Sequence, residues 1–156
     1  MTNGAFTEIL LGILALLLVV AAVIDVRTFT ISNRLNLAVA LGAPLFWWSI
    51  GLPLTNIGVQ TAIAAGVFAL LAGAFYAGMM GGGDVKLAAA LALWFSPAST
   101  LTFLILMSIA GGVLTLVVVA IHRMKKKLGK PEIPYGVAIA FGALAILTQR
   151  FLNQFA

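Results

Sequence analysis

Cysteine is missing altogether from the 156 residues, histidine occurs once, and Asp and Glu together number four. Without thiols the chain can form neither disulfides nor zinc-thiolate centres, and it has no cysteine nucleophile. A lone imidazole, His122, cannot make a histidine-cluster metal site, so neither a metal nor an organic cofactor is expected. Charge is scarce as well: Asp, Glu, Lys and Arg make up 8% of the chain, where soluble domains carry about 25%. Between Arg34 and Asp84 there is none. Apolar residues fill the space, at 63% hydrophobic with a mean hydropathy of +1.17. This is the composition of an all-α integral membrane protein, and it leaves no room for a separate soluble domain, so residues 1–156 are expected to form one membrane-embedded unit. The net charge of +5 does not point to a nucleic-acid partner, because the cations lie beside apolar runs rather than on a soluble basic face.

The apolar runs predict six transmembrane helices. Residues 9–24, extended to Phe6 and Thr7, form the first, read as a retained span because Met1–Thr7 lacks a positive n-region. The second runs from about Asn36 to Leu52, with Trp47 and Trp48 near its end as an aromatic belt. The third covers Ile57 to Met80, with Ala65, Ala69, Gly73 and Ala77 as a small-residue stripe suited to close helix packing. Val85 to Phe95 forms a short fourth helix, broken near Ser96-Pro97, and Leu101 to Ile121 a fifth. The sixth extends to Leu147, with Pro134 in its first turn.

An outside N-terminus places the 25–34 loop, the Gly81–Lys86 turn and the basic run 122–130 on the cytoplasmic side. The positive-inside rule supports this, with Arg27, Arg34, Lys86, Arg123, Lys125, Lys126, Lys127 and Lys130 inside and only Arg150 outside. The fourth helix is the exception to a regular bundle, being too short for a ~30 Å apolar core unless it tilts, enters only partway or takes in the glycines.

Gly81-Gly82-Gly83-Asp84-Val85-Lys86 ends the long uncharged stretch. An acid at membrane depth is costly and marks a functional site by default. Three glycines weaken a helix by roughly 1 kcal/mol each relative to alanine and let other backbone approach. The topology puts Asp25 on the same face as Asp84, each beside an apolar span. Two carboxylates sharing one water repel, so one keeps its proton while the other acts as base. That division of labour suits peptide hydrolysis: the base takes a proton from the attacking water, and the acid donates to the developing oxyanion and then to the leaving amine. The plainer reading pairs Asp25 with Arg27 and Asp84 with Lys86 as interfacial ion pairs.

Gly81-Gly82-Gly83-Asp84 fits the Gly-x-Gly-Asp signature of intramembrane aspartic proteases. With Asp25-x-Arg27, Ile31-Ser32-Asn33 and Pro134-Tyr135-Gly136 it resembles the type IV prepilin peptidases over nearly the whole chain. The absence of cysteine and of an extra N-terminal region is similar to the small branch that processes Flp-type, tight-adherence prepilins, without N-methylation. The resemblance implies that Asp25 and Asp84 are the catalytic pair, and that Gly81, Gly83, Lys86 and Asn33 belong to the motif or contact substrate. It implies cleavage of a prepilin leader at the cytoplasmic face of a bacterial or archaeal inner membrane, with membrane lipid and the pilus assembly or secretion machinery as further partners. Many relatives carry Ile-Pro-Asn where this chain has Ile31-Ser32-Asn33, which removes a rigid ring from the loop.

Other readings of these residues are plainer. Lys86 anchors the cytoplasmic end of a span or orients Asp84, and Asn33 caps the second helix or bonds substrate backbone. The 123–130 run anchors topology or meets anionic lipid. Glu8 falls on the far side, and Glu132 balances Lys130. Two other functions remain open at this point, a small proton-coupled transporter or channel subunit and an inactive homologue that only assembles with secretion proteins.

Overall fold

The computed structural model describes residues 4–126, 128–129 and 131–154; Lys127 and Lys130 of the basic run lie outside them. It is all-helical: α1 (Gly4–Thr28), α2 (Asn33–Ser49), α3 (Leu54–Tyr76), α4 (Gly82–Ala92), α5 (Pro97–Met124) and α6 (Tyr135–Gln154). Four of the six are long and apolar enough to cross a membrane, namely α1, α3, α5 and Tyr135–Asn153 of α6. At 17 residues, with Pro44 inside it, α2 reaches about 26 Å, and the 11-residue α4 about 16 Å, each short of a ~30 Å core.

The short helix is the most enclosed. Leu87, Ala88, Leu91 and Ala92 of α4 have no exposed surface, and α4 packs against α2, α3 and α6. Around it the core gathers Leu11, Leu14 and Leu18 of α1, Val39 and Phe46 of α2, Phe103 of α5 and Ile139 of α6. By contrast α3 and α5 turn most of their surface outward and scarcely touch each other, α3 resting on α4 and α5 on α6. In lipid such apolar outward faces are already solvated, so what must be buried is the polar and glycine-rich sequence that α4 carries.

Several boundaries differ from the sequence expectation. Asp25 does not follow the first helix but sits inside its last turn. The helix runs on to Thr28 and ends where Phe29 turns left-handed at φ 51°. Gly82 and Gly83 join α4 instead of breaking it, and only Gly78 and the segment up to Gly81 leave the helix. The small-residue stripe of α3 does not pack inside the chain: Ala65, Ala69, Gly73 and Ala77 are exposed, and Gln60, Ala64 and Val67 face inward. The cap of α2 is Ser32, whose Oγ accepts the Leu35 N–H at 3.3 Å, so Asn33 is the first helical residue and not the cap. Ser96 caps α5 in the same way, with Pro97 in the first turn where its missing donor costs nothing. Pro134 precedes α6 rather than entering it.

Candidate functional site

The aspartates come from helices of opposite sense. Asp25 lies one turn before the end of α1, and Asp84 lies in the first turn of α4, at the same end of the bundle. Their side chains are almost fully withdrawn, at 2% and 7% exposure. Each accepts a glycine N–H. The Gly136 N–H, in the first turn of α6, donates to Asp25 Oδ2 at 2.7 Å, and the Gly81 N–H donates to Asp84 Oδ2 at 3.1 Å. The first turn of a helix presents unpaired donors and partial positive charge, so α6 offers Asp25 the environment an anion prefers.

The turn between α1 and α2 connects the two acids. Ile31 lies against Gly83 and Gly136 at once. A Cβ on Gly83 would stand 2.7 Å from Ile31 O, and a Cβ on Gly136 would stand 2.8 Å from Ile31 Cδ1 and 2.7 Å from Asp25 Oδ2. Neither glycine can gain a methyl group without displacing what it touches. The backbone of α4 and of α6 therefore comes closer to this turn than any other residue type would permit. A third fastening comes from α2, where Asn36 Nδ2 donates to the Gly83 carbonyl at 3.0 Å.

Two acceptors remain without donors. Among the described residues Asp84 Oδ1 and Asn36 Oδ1 are both buried and unpaired, although buried polar atoms nearly always find a partner. Asp84 stands outside the four spanning helices. Burial, followed by the negative charge of Asp25, pushes its carboxyl up from 3.8 to about 7, against the opposing pull of the Gly81 N–H. Near neutral pH Asp84 is thus placed to hold a proton.

Ion pairing does not account for the acids. Lys86 is exposed, and its Nζ donates to Asn33 Oδ1 at 2.8 Å rather than pairing with Asp84. Among the described residues no ion pair joins Asp25 to Arg27 either, and Asp25 takes its hydrogen bond from backbone. Asn33 and Lys86 therefore form an outer clasp between α2 and α4, with no hydrogen bond to either acid. Glu132 is exposed and lines a separate hollow with His122 and Lys125. Among the described residues no three His, Cys, Asp or Glu side chains gather to hold a metal ion.

An apolar hollow of about 550 Å³ opens between α3, α5 and α6. Its lining includes Met80, immediately before Gly81, and Tyr135, immediately before Gly136, so it borders both glycine donors. Tyr135 is fixed there by its hydroxyl, 3.2 Å from Thr115 Oγ1.

Asn36 received no role from the sequence, and Gly136 entered only within the Pro134-Tyr135-Gly136 resemblance, with no contact assigned to it. Gly136 acts across 111 positions and Asn36 across 47, beyond the reach of any local pattern. For Asn36 the available signal was a lone polar residue at the start of an apolar run.

The model of the type IV leader peptidase family matches residues 12–116, which takes in both aspartates and the glycine run and ends before α6. No curated protein and no solved structure matches the chain closely enough to add to this.

Proposed function

The chain belongs to the type IV leader peptidase family and is a peptidase; from that premise we propose that Asp25 and Asp84 are its catalytic pair and that it removes the leader from Flp-type prepilins. The observation that carries the reading is the placing of two buried carboxylates, each on a glycine N–H, on either side of Ile31. In the resting pair Asp25 is the base, its Oδ2 already stabilised by the first turn of α6. Asp84 carries the proton, and its Oδ1 meets no donor among the described residues. Asp25 takes a proton from the attacking water, while Asp84 donates to the carbonyl oxygen as the tetrahedral centre forms. The proton then held by Asp25 passes to the leaving amine as the C–N bond breaks, and the gem-diol returns one proton to Asp84 as the new carboxyl forms. Water supplies both the OH on the new carboxyl and the hydrogen on the new amine.

Gly81 and Gly83 serve this chemistry by letting the Asp84 carboxyl and the Ile31 turn lie directly against the α4 backbone, and Lys86 with Asn33 ties α2 to α4 at the mouth of the site. The apolar hollow bordered by Met80 and Tyr135 suits the hydrophobic segment that follows a leader. In the membrane α2 and α4 complete a six-helix unit with the N-terminus outside. The aspartates then sit at the cytoplasmic face of a bacterial or archaeal inner membrane, beside Arg27, Arg34 and the basic run, with lipid and the pilus assembly machinery as partners. The family match leaves the transporter alternative with no observation of its own.

Co-expression with a Flp-type prepilin tests this. The wild type is expected to shift the prepilin to its processed size, and a prepilin whose leader glycine is replaced is expected to stay uncut. Failure to process a panel of Flp-type prepilins by a well-inserted protein would refute the substrate assignment.

A further inference from the structure

At the far end of α6, fourteen residues and about 21 Å from Gly136, lies a second polar feature that the peptidase reading does not use. A cavity of about 470 Å³ opens where α6 passes the junction of α4 and α5, with Trp94 and Leu147 on its apolar side and Ser96, Ser99, Gln149 and Arg150 on its polar side. Arg150 is the last cation of the chain and the one that falls outside the cytoplasmic cluster. Its guanidinium is only partly exposed and lies 4.9 Å from the centroid of the Phe46 ring. It makes no hydrogen bond and no ion pair with any described residue. A ring face attracts the charge but accepts none of the five N–H donors, so a planar fork half withdrawn from water is left without an acceptor.

The neighbouring groups are donors as well. Ser96 Oγ accepts the Ser99 N–H at 3.3 Å and donates to Ser99 Oγ at 2.9 Å, which leaves the Ser99 hydroxyl hydrogen free. The Gln149 and Asn153 amides add N–H donors beside their own carbonyl oxygens, and among the described residues the cavity lining contains no carboxylate. A guanidinium fork with flanking hydroxyl and amide donors is the chemistry that recognises a tetrahedral oxyanion. The apolar half of the lining suits a glycerol backbone and the start of acyl chains.

We propose that this cavity binds a phosphate oxyanion, as carried by a phospholipid headgroup of the leaflet opposite the aspartates, with Arg150 as its principal ligand and Ser99 as its second. The site is independent of the peptidase reading and holds whether or not the chain cleaves prepilins.

Native mass spectrometry of the full chain in mild detergent tests it, with dioleoylphosphatidylglycerol, dioleoylglycerol and inorganic phosphate as probes. The phospholipid is expected to be retained at one per chain and dioleoylglycerol, which lacks only the phosphoglycerol, to be lost. Arg150→Gln should weaken retention at least tenfold, and Ser99→Ala severalfold. Lys125→Gln, on the opposite face, should leave it unchanged. Displacement of the lipid by inorganic phosphate, dependent on Arg150, would support the oxyanion site and identify free phosphate as a competent ligand. Equal retention by the wild type and Arg150→Gln would overturn the proposal, as would retention of dioleoylglycerol as strong as that of the phospholipid. If Arg150→Gln does not fold, Leu147→Trp, which fills the cavity and keeps the guanidinium, must weaken retention. Undiminished binding in that variant would equally overturn the proposal.

Discussion

The two ends of α4 are both buried, yet they are built by opposite rules. At the C-terminal end two tryptophans fasten the helix. Trp94 Nε1 donates to the Val39 carbonyl at 2.9 Å, and Trp47 Nε1 donates to the Leu93 carbonyl at 2.8 Å. The Trp94 ring stacks on Phe46 at 5.2 Å and fills the space left by Gly42, where a Cβ would come within 2.6 Å of it. Both indole donors are satisfied and the rings are close-packed. At the N-terminal end there is backbone in place of rings, with Gly81, Gly83 and Gly136 drawn around two carboxylates, and Asp84 Oδ1 and Asn36 Oδ1 are left unpaired. An end whose two indole donors are both satisfied contributes stability, whereas one that keeps bare acceptors gives some up, as the proposed catalytic pair requires.

Substitutions at the two ends should separate these contributions. The largest effect is expected from Asp25→Asn and Asp84→Asn, each lowering kcat/KM for prepilin cleavage by 10²- to 10⁴-fold or more while the protein remains folded in the membrane. Trp94→Ala should reverse the pattern. It removes a packed ring and is expected to cost about 3–5 kcal/mol of stability, read as a lower thermal midpoint in detergent, with cleavage retained below that temperature. Gly136→Ala sharpens the contrast, because one methyl group meets Asp25 Oδ2 and Ile31 Cδ1. A loss of roughly 10- to 100-fold in rate is expected from misplacing the acid, with secondary structure by circular dichroism unchanged.

On the proposed mechanism the pH profile follows from the proton on Asp84. Asp84 titrates near 7 in the folded protein against 3.8 ordinarily. The acid form is therefore lost as pH rises through about 7, and the rate should fall about tenfold per unit above it. Stability has the same sign. A carboxyl with a raised folded value favours the fold fully below 3.8 and loses that contribution as pH rises towards about 7, so Asp84→Asn should lift the thermal midpoint more at pH 8 than at pH 4. The smallest effect belongs to Lys86→Ala, which opens the exposed clasp to Asn33 and should slow cleavage severalfold at most.

The long apolar runs make α1, α3, α5 and α6 legible in the sequence, since length and hydropathy decide a candidate span. Asp25 and Asp84 stand out there because an acid in such surroundings is rare. The helix ends are less legible. Asp25 looks like a span boundary by charge but lies within α1, because the Gly136 N–H from α6 receives it. The Ala65 to Ala77 stripe has the spacing of a packing face, yet spacing does not say which neighbour a face meets, and in this chain Gln60, Ala64 and Val67 turn inward. Asn33 and Ser32 compete for one cap, and the hydroxyl takes it while Asn33 binds Lys86. Gly136 and Asn36 act across contacts that only the assembled bundle creates.

The most direct test of the pair is a kinetic cycle in proteoliposomes with a Flp-type prepilin: kcat/KM for the wild type, Asp25→Asn, Asp84→Asn and the double variant. Two carboxylates working on one water predict a double variant no slower than the worse single, since either loss already stops the shared step. Multiplying losses, or full activity in either single variant, would contradict it.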